Sequence, residues 1–201
     1  MTKFLFTLLL LAFALCASAQ SDTQLQAFNQ KRNDINTKGM LILGTWALGN
    51  IALGTTNYYR QTGTKKYFNQ MNALWNTVNL TLAVATSIQA HQIAATTDTL
   101  TIAQSIAEQH KTQQLFLFNA GLDFAYIASG FYLIEKAKNT TTTLKKNQFE
   151  GWGKSLILQG SFLLVFDGLM VAIHQNNSKI GYKLISAIRI EGNQIGVCWQ
   201  F

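Results

Sequence analysis

The chain has 201 residues, 48% of them hydrophobic and only 12% charged. Soluble domains carry about twice that share of charge, so the balance is that of a membrane protein one domain long. The net charge of +7 does not indicate a nucleic-acid partner, because the lysines and arginines lie in short stretches between apolar runs and form no basic stripe.

The amino terminus reads as a targeting segment: Lys3, an apolar run from Phe4 to Leu15, then Ala17-Ser18-Ala19 as a small-residue cleavage signal. Residues 1–19 are therefore expected to be a signal peptide. Leu15 precedes Cys16 where lipid attachment wants a small residue, so no lipid anchor is expected. Cleavage would leave Cys198 alone, without a disulfide or a metal-binding cysteine pair.

Residues 20–38 are polar, with Phe28 and Ile35 at helical spacing, and read as an amphipathic lead-in. A domain of four transmembrane helices is expected over 39–174. The first crossing runs from Gly39 to about Asn57. A loop with Arg60, Lys65 and Lys66 follows, edged by Tyr58, Tyr59, Tyr67 and Phe68 as an interfacial belt.

The second crossing, Met71 to Ala90, is the least apolar of the four. Asn72, Asn76, Asn79, Ala83, Thr86 and Ala90 recur at steps of three and four, a polar and small stripe that must face other helices. His91 to Gln114 is expected to hold a short surface helix opened by Thr and Asp residues.

The third crossing, Leu115 to Ile134, is long enough to span the ~30 Å hydrocarbon slab at about 1.5 Å per residue, yet carries Asp123 near its middle. A carboxylate there must be neutralised, hydrogen-bonded or turned toward water inside a bundle. A lysine- and threonine-rich loop, Glu135 to Gly153, leads into the fourth crossing, Lys154 to His174, where Gly160, Leu164, Asp167, Val171 and His174 share one side and Gln159 lies one position off it.

A cleaved signal would place residue 20 onward outside a bacterial inner membrane. The 58–70 and 135–153 loops are then cytoplasmic, and they hold seven Lys/Arg against one in the intervening outer loop, as retention of positive charge requires. Both mature ends are expected outside. In the tail, 175–201, Ile195, Val197, Trp199 and Phe201 alternate with polar and small residues beyond a Glu191-Gly192-Asn193 turn, a β-hairpin pattern. A terminal phenylalanine on an alternating strand also fits an outer-membrane β-barrel, but the four long runs do not alternate as barrel strands do.

Counted from the helix centres, Asn50, Asn79, Asp123 and Asp167 fall within about 4 Å of one midplane, one from each helix. No lysine or arginine lies at that depth. Two carboxyl groups in one dry layer would hold a proton between them. The layer, with Asn76, Asn119 and Gln159 as secondary polar groups, is either interhelical hydrogen-bond glue or a proton, cation or small-solute site. His91, His110 and His174 fall at the outer ends of their segments, where three imidazoles on one rim would be candidate zinc ligands or a pH sensor. Their spacing matches no metal motif, so no metal or other cofactor is expected. Ala47, Gly54, Gly121, Ala125, Gly130, Gly160 and Gly168 would let helices approach closely, and Trp46, Trp75 and Trp152 belong to core or belt.

The stretches FNQKRNDIN, GMLILGTWALGNIALG, YFNQMNALWNTVNL and SLILQGSFLLVFDG resemble, from about Phe28 to His174, a bacterial family of small four-helix membrane proteins of unassigned function. The resemblance implies a fold and a location and supplies no catalytic residues. No phosphate loop, nucleophile elbow, zinc-protease helix or dinucleotide fingerprint occurs. The leading expectation is a non-enzymatic assembly or accessory protein whose partners are the bilayer and a membrane protein or second copy. The alternative is a small proton-coupled carrier using Asp123 and Asp167. The two differ in one physical requirement: a carrier needs a cavity at the acid layer, and a scaffold needs a filled core.

Overall fold

A computed structural model describes the backbone of residues 2–94, 100–186, 188–191 and 194–197, and the side chains of 23–90 and 100–182. The chain forms an all-α bundle of α1 (Thr2–Arg60), α2 (Gly63–Ala94), α3 (Ile102–Lys138) and α4 (Thr143–Ser186). The long runs are helices, which removes the barrel alternative, and no strand occurs among the residues whose side chains are described. Beyond α4 the backbone of β1 (Ile188–Glu191) and β2 (Gln194–Val197) pairs antiparallel, with Ile190 opposite Ile195. The turn residues Gly192 and Asn193 and the terminal Trp199 and Phe201 lie outside the described residues.

Three helices, from Thr23, Ile102 and Thr143 onward, are long and apolar enough to cross a membrane. α2 is not among them, because its run of asparagines and threonines lowers the average. Its polar stripe does turn inward: Asn69, Asn72, Asn76, Asn79 and Ala83 are buried, while Leu74, Val78, Leu82, Val84 and Ile88 are exposed on the opposite side. In α3 only 11% of the most apolar window is buried within the protein, so that helix shows apolar side chains on nearly every side.

Several expected loops are helix instead. The lead-in is continuous with the first crossing in α1, the expected surface helix is the first turns of α3, and the start of the tail prolongs α4. The two connections at the opposite end shrink to Gln61–Thr62 and 139–142. Without proline, nothing in these segments forces a break. α3 starts where a capping box stops it: Thr101 accepts from the Gln104 amide and the Gln104 side chain returns to the Thr101 amide. Gly63 carries the left-handed turn into α2 at φ +60°.

The helices run alternately up and down. The amino-terminal part of α1, the start of α3 and the end of α4 meet at one end, where Gly181 lies against the Phe28 ring. The turns meet at the other, where Thr64 Oγ1 donates to Asn147 Oδ1 at 3.1 Å. Lysines fold onto rings at this turn end, Lys66 over Tyr58 and Lys136 over Phe149, each 4.8 Å from the ring centroid. Packing is closest within the pairs α1–α2 and α3–α4; α4 also touches α2 and α1. Among the described residues, no Cα of α2 lies within 8 Å of one of α3, and the two helices meet through the rings of Trp75 and Tyr126.

Glycine sets the approach of α3 to α4. A Cβ on Gly130 would lie 2.7 Å from the Gly153 carbonyl, and one on Gly160 would lie 3.0 Å from the carbonyl of Asp123. Gly54 serves the α1–α2 contact in the same way, against the Asn69 carbonyl. Gly121 and Gly168, also expected at close approaches, face open space.

Candidate functional site

The four polar groups expected in one layer are split between two levels. Toward the turn end the bundle is closed by an amide chain. Trp46 Nε1 donates to Gln159 Oε1 at 3.0 Å, Gln159 Nε2 donates to Asn72 Oδ1, and Asn72 Nδ2 donates to Asn50 Oδ1 at 2.8 Å. Asn76 joins through the Asn72 carbonyl, and Asn79 Nδ2 reaches Asn76 Oδ1 at 3.4 Å. Trp46 also stacks on Phe162, with ring centroids 3.8 Å apart. This level is filled, and Asn50 belongs to it.

The next level is not filled. A cavity of about 430 Å³ lies among all four helices and opens on the side between α2 and α3. Asp123, Asp167 and Asn79 line its deep end, with Trp75 and Tyr126 stacked edge to face at 4.6 Å beside them. Met40, Leu82, Leu115, Phe116 and Phe166 form its walls, and Arg32, Glu108 and Lys111 its mouth. From Glu108 to Tyr126 the cavity follows α3 for about 27 Å at the helical rise.

Asp123 and Asp167 are 2% and 5% exposed, and their side chains lie within hydrogen-bonding range of each other. Two carboxyl groups hydrogen-bond only when one of them carries a proton. Asp123 Oδ2 has no hydrogen-bond partner, and neither has the buried indole Nε1 of Trp75. A buried carboxyl oxygen without a partner is unfavourable unless something else meets it there. Asn119 lies on the cavity wall, whereas Gln159 and Asn76 belong to the closed level.

A third polar cluster, unforeseen from the residue pattern, lies at the end where α1, α3 and α4 meet. His174 is fully buried, with Nε2 3.0 Å from Asn36 Oδ1, Nδ1 3.3 Å from Gln109 Nε2, and its ring stacked on Phe116. Gln109 Nε2 also donates to the His174 carbonyl at 2.8 Å, and Asn177 donates to Gln109 Oε1 at 3.1 Å. Asn29 Nδ2 donates to Ser105 Oγ, and Arg32 Nη1 to the Ser105 carbonyl. Asn29, Ser105, Gln109 and Asn177 all fall in stretches that read as surface. The missed signal is their recurrence at helical spacing, Asn29-Arg32-Asn36 and Ser105-Gln109. His110 is exposed and contacts the Tyr182 hydroxyl at 3.0 Å, apart from His174 in its buried cluster. The side chain of His91 lies outside the described residues. Among the described residues no group of three metal-ligating side chains occurs.

A family profile described as a family of unknown function, DUF6992, matches residues 42–168. The chain belongs to that family. The match contains the amide chain and both aspartates of the cavity; Asn29, Arg32, His174 and Asn177 lie beyond its ends. No curated protein and no solved structure matches the chain.

Proposed function

We propose that the protein is a four-crossing membrane protein which admits a small polar or cationic solute, from the end opposite the turns, to the Asp123–Asp167 pair and exchanges it there against the shared proton. The observation that carries this reading is the cavity that reaches the acid pair and stops at the amide chain. A scaffold would be expected to fill that space, since an unfilled volume in a packed core is destabilising. The acids make an anion an unsuitable occupant of the deep end, and Asn79 and the free Trp75 Nε1 supply further hydrogen-bonding capacity beside them.

We read α2 as the fourth crossing because 32 residues are more than enough to span the bilayer and its outward face is apolar. Lipid meets that face, whereas its asparagines meet other helices. The Lys/Arg-rich turn end is then the cytoplasmic one and the cavity mouth faces outward.

Thiol labelling tests the reading. In a background with Cys16 and Cys198 replaced by serine, Asn119→Cys should react with a membrane-impermeant maleimide added outside sealed vesicles, and Asn72→Cys should not. A solubilised Asp123→Asn/Asp167→Asn variant should take up fewer protons on acid titration than the parent. Absence of labelling at 119, together with unchanged proton uptake, would return the protein to the scaffold class.

A further inference from the structure

The cavity mouth carries a feature that the acid pair does not use. Arg32 is 2% exposed and lines the mouth; its Nη1 donates to the Ser105 carbonyl at 2.9 Å and Glu108 lies near enough to act on its charge, yet Nη2 has no hydrogen-bond partner. A buried guanidinium with an unpaired donor is costly unless an anion completes it. Lys111 lies on the same rim with its side chain 66% exposed. Glu108, 3.9 Å from Lys111, offsets one of the two positive charges, so the rim keeps one in excess.

Depth and shape narrow the anion. Lys111 lies four residues before Leu115, about 6 Å beyond the hydrocarbon boundary, and Arg32 lies seven before Gly39, about 10 Å beyond it. Lys111 falls within the headgroup layer, about 5–8 Å thick on each side, and Arg32 lies just beyond it, where it bounds a headgroup from the aqueous side. Directly below the rim, the side of the cavity is the gap between α2 and α3. Val78 and Leu82 border it on one side, Leu115 and Leu122 on the other. All four are exposed, so the gap continues into the space that lipid chains occupy.

We infer that Arg32 and Lys111 hold the phosphate of an anionic phospholipid whose acyl chain lies in the gap between α2 and α3. The fork of the guanidinium suits a phosphate oxygen left over after Nη1 is taken, and Lys111 adds a point charge. The acyl chain supplies apolar contact between α2 and α3 above the Trp75–Tyr126 pair, where the two helices do not reach each other. The lipid would also wall off the side of the cavity and leave the mouth as the water route. The inference does not depend on solute exchange at Asp123 and Asp167.

The test is lipid retention by the full chain, purified in a mild non-ionic detergent and titrated with dioleoyl phosphatidylglycerol, dioleoyl phosphatidylcholine or inorganic phosphate, with bound lipid read by native mass spectrometry and thermal protection. Phosphatidylglycerol should bind at least about tenfold more tightly than phosphatidylcholine, and Arg32→Gln should remove about tenfold of that affinity. Lys111→Gln, at an exposed position, should weaken binding without altering the fold. Leu82→Trp, which fills the gap, should weaken the lipid and leave the rim charges in place. Asp123→Asn should retain the lipid, which separates this result from the exchange reading. Equal binding of the two lipids overturns the inference, as does undiminished binding by Lys111→Gln and Leu82→Trp. Protection by inorganic phosphate equal to that by the lipid overturns it too, by showing a free-anion site.

Discussion

A Cβ added to Gly153 would stand 2.5 Å from the carbonyl oxygen of Gly130, the two glycines facing each other where α3 crosses α4. The opposing carbonyl and a backbone nitrogen are among the nearest atoms at each site, beside an isoleucine Cγ1, and backbone cannot swing aside as a side-chain terminus can. Gly153→Ala and Gly130→Ala should each separate the helices and destabilise the protein by about 1–3 kcal/mol. Gly168→Ala, facing open space on the same helix, should be neutral. Thermal unfolding in one detergent compares the three.

The amide chain from Trp46 to Asn50 should behave as a unit. Gln159→Leu removes the acceptor of the Trp46 indole and the donor to Asn72 together. The expected loss is about 1–2 kcal/mol, within the range of polar contacts in membranes. Combined with Asn72→Ala, the loss should fall short of the sum by about 0.5 kcal/mol or more, since both changes break the same bonds. A double-mutant cycle by denaturant unfolding reads this coupling.

His174 can satisfy both ring nitrogens without a positive charge if Nε2–H donates to Asn36 and Nδ1 accepts from Gln109. His174→Phe leaves the Asn36 oxygen and a Gln109 donor unpaired in a buried site, and should be destabilising by about 1–3 kcal/mol. Replacement of the exposed His110 by Phe should shift stability by less than about 0.5 kcal/mol.

The crossing number is open to a direct check. If α2 spans the bilayer, cysteines at Thr62 and Leu100 should be labelled from opposite sides of an oriented membrane vesicle. Labelling of both from one side would show a three-span protein with α2 lying against it.

The acid pair should tolerate asparagine better than an apolar group. Asp123→Asn and Asp167→Asn each replace a carboxyl by an amide that donates to the remaining carboxyl group, so folding should survive either change. Asp123→Leu leaves Asp167 in a buried site with no such partner and should lower yield and melting temperature. Size-exclusion profiles and thermal scans distinguish the two classes.

The helical, membrane-like architecture was legible because apolar runs near twenty residues and the asparagine stripe of α2 are periodic signals with a direct cause in burial. Asn72, Asn76, Asn79 and Ala83 all turn inward as that stripe requires. Counting along the axes put Asn50, Asn79, Asp123 and Asp167 in one layer, but the structure divides them between two levels, because depth along an axis says nothing about which helices lie side by side. Asn50 meets Asn72 because α1 packs on α2, and the acids meet because α3 packs on α4. The cluster around His174 escaped because its residues look like surface polarity until three helices are seen to extend together. The cavity escaped because no local pattern encodes how far α2 stands from α3 above the Trp75–Tyr126 contact.

That separation has a mechanical consequence. α1 packs on α2, and α4 on both α2 and α3, so the least resisted motion is a swing of α2 away from α3 above the Trp75–Tyr126 contact, rolling on α4 near Gly151 and the Thr64 carbonyl. Among the described residues such a swing breaks no hydrogen bond between α2 and α3 and strains only the Trp75–Tyr126 stacking, yet it alters the width of the passage above the two aspartates. Stiffness at the turns and softness at the mouth are thus built into one asymmetry of packing.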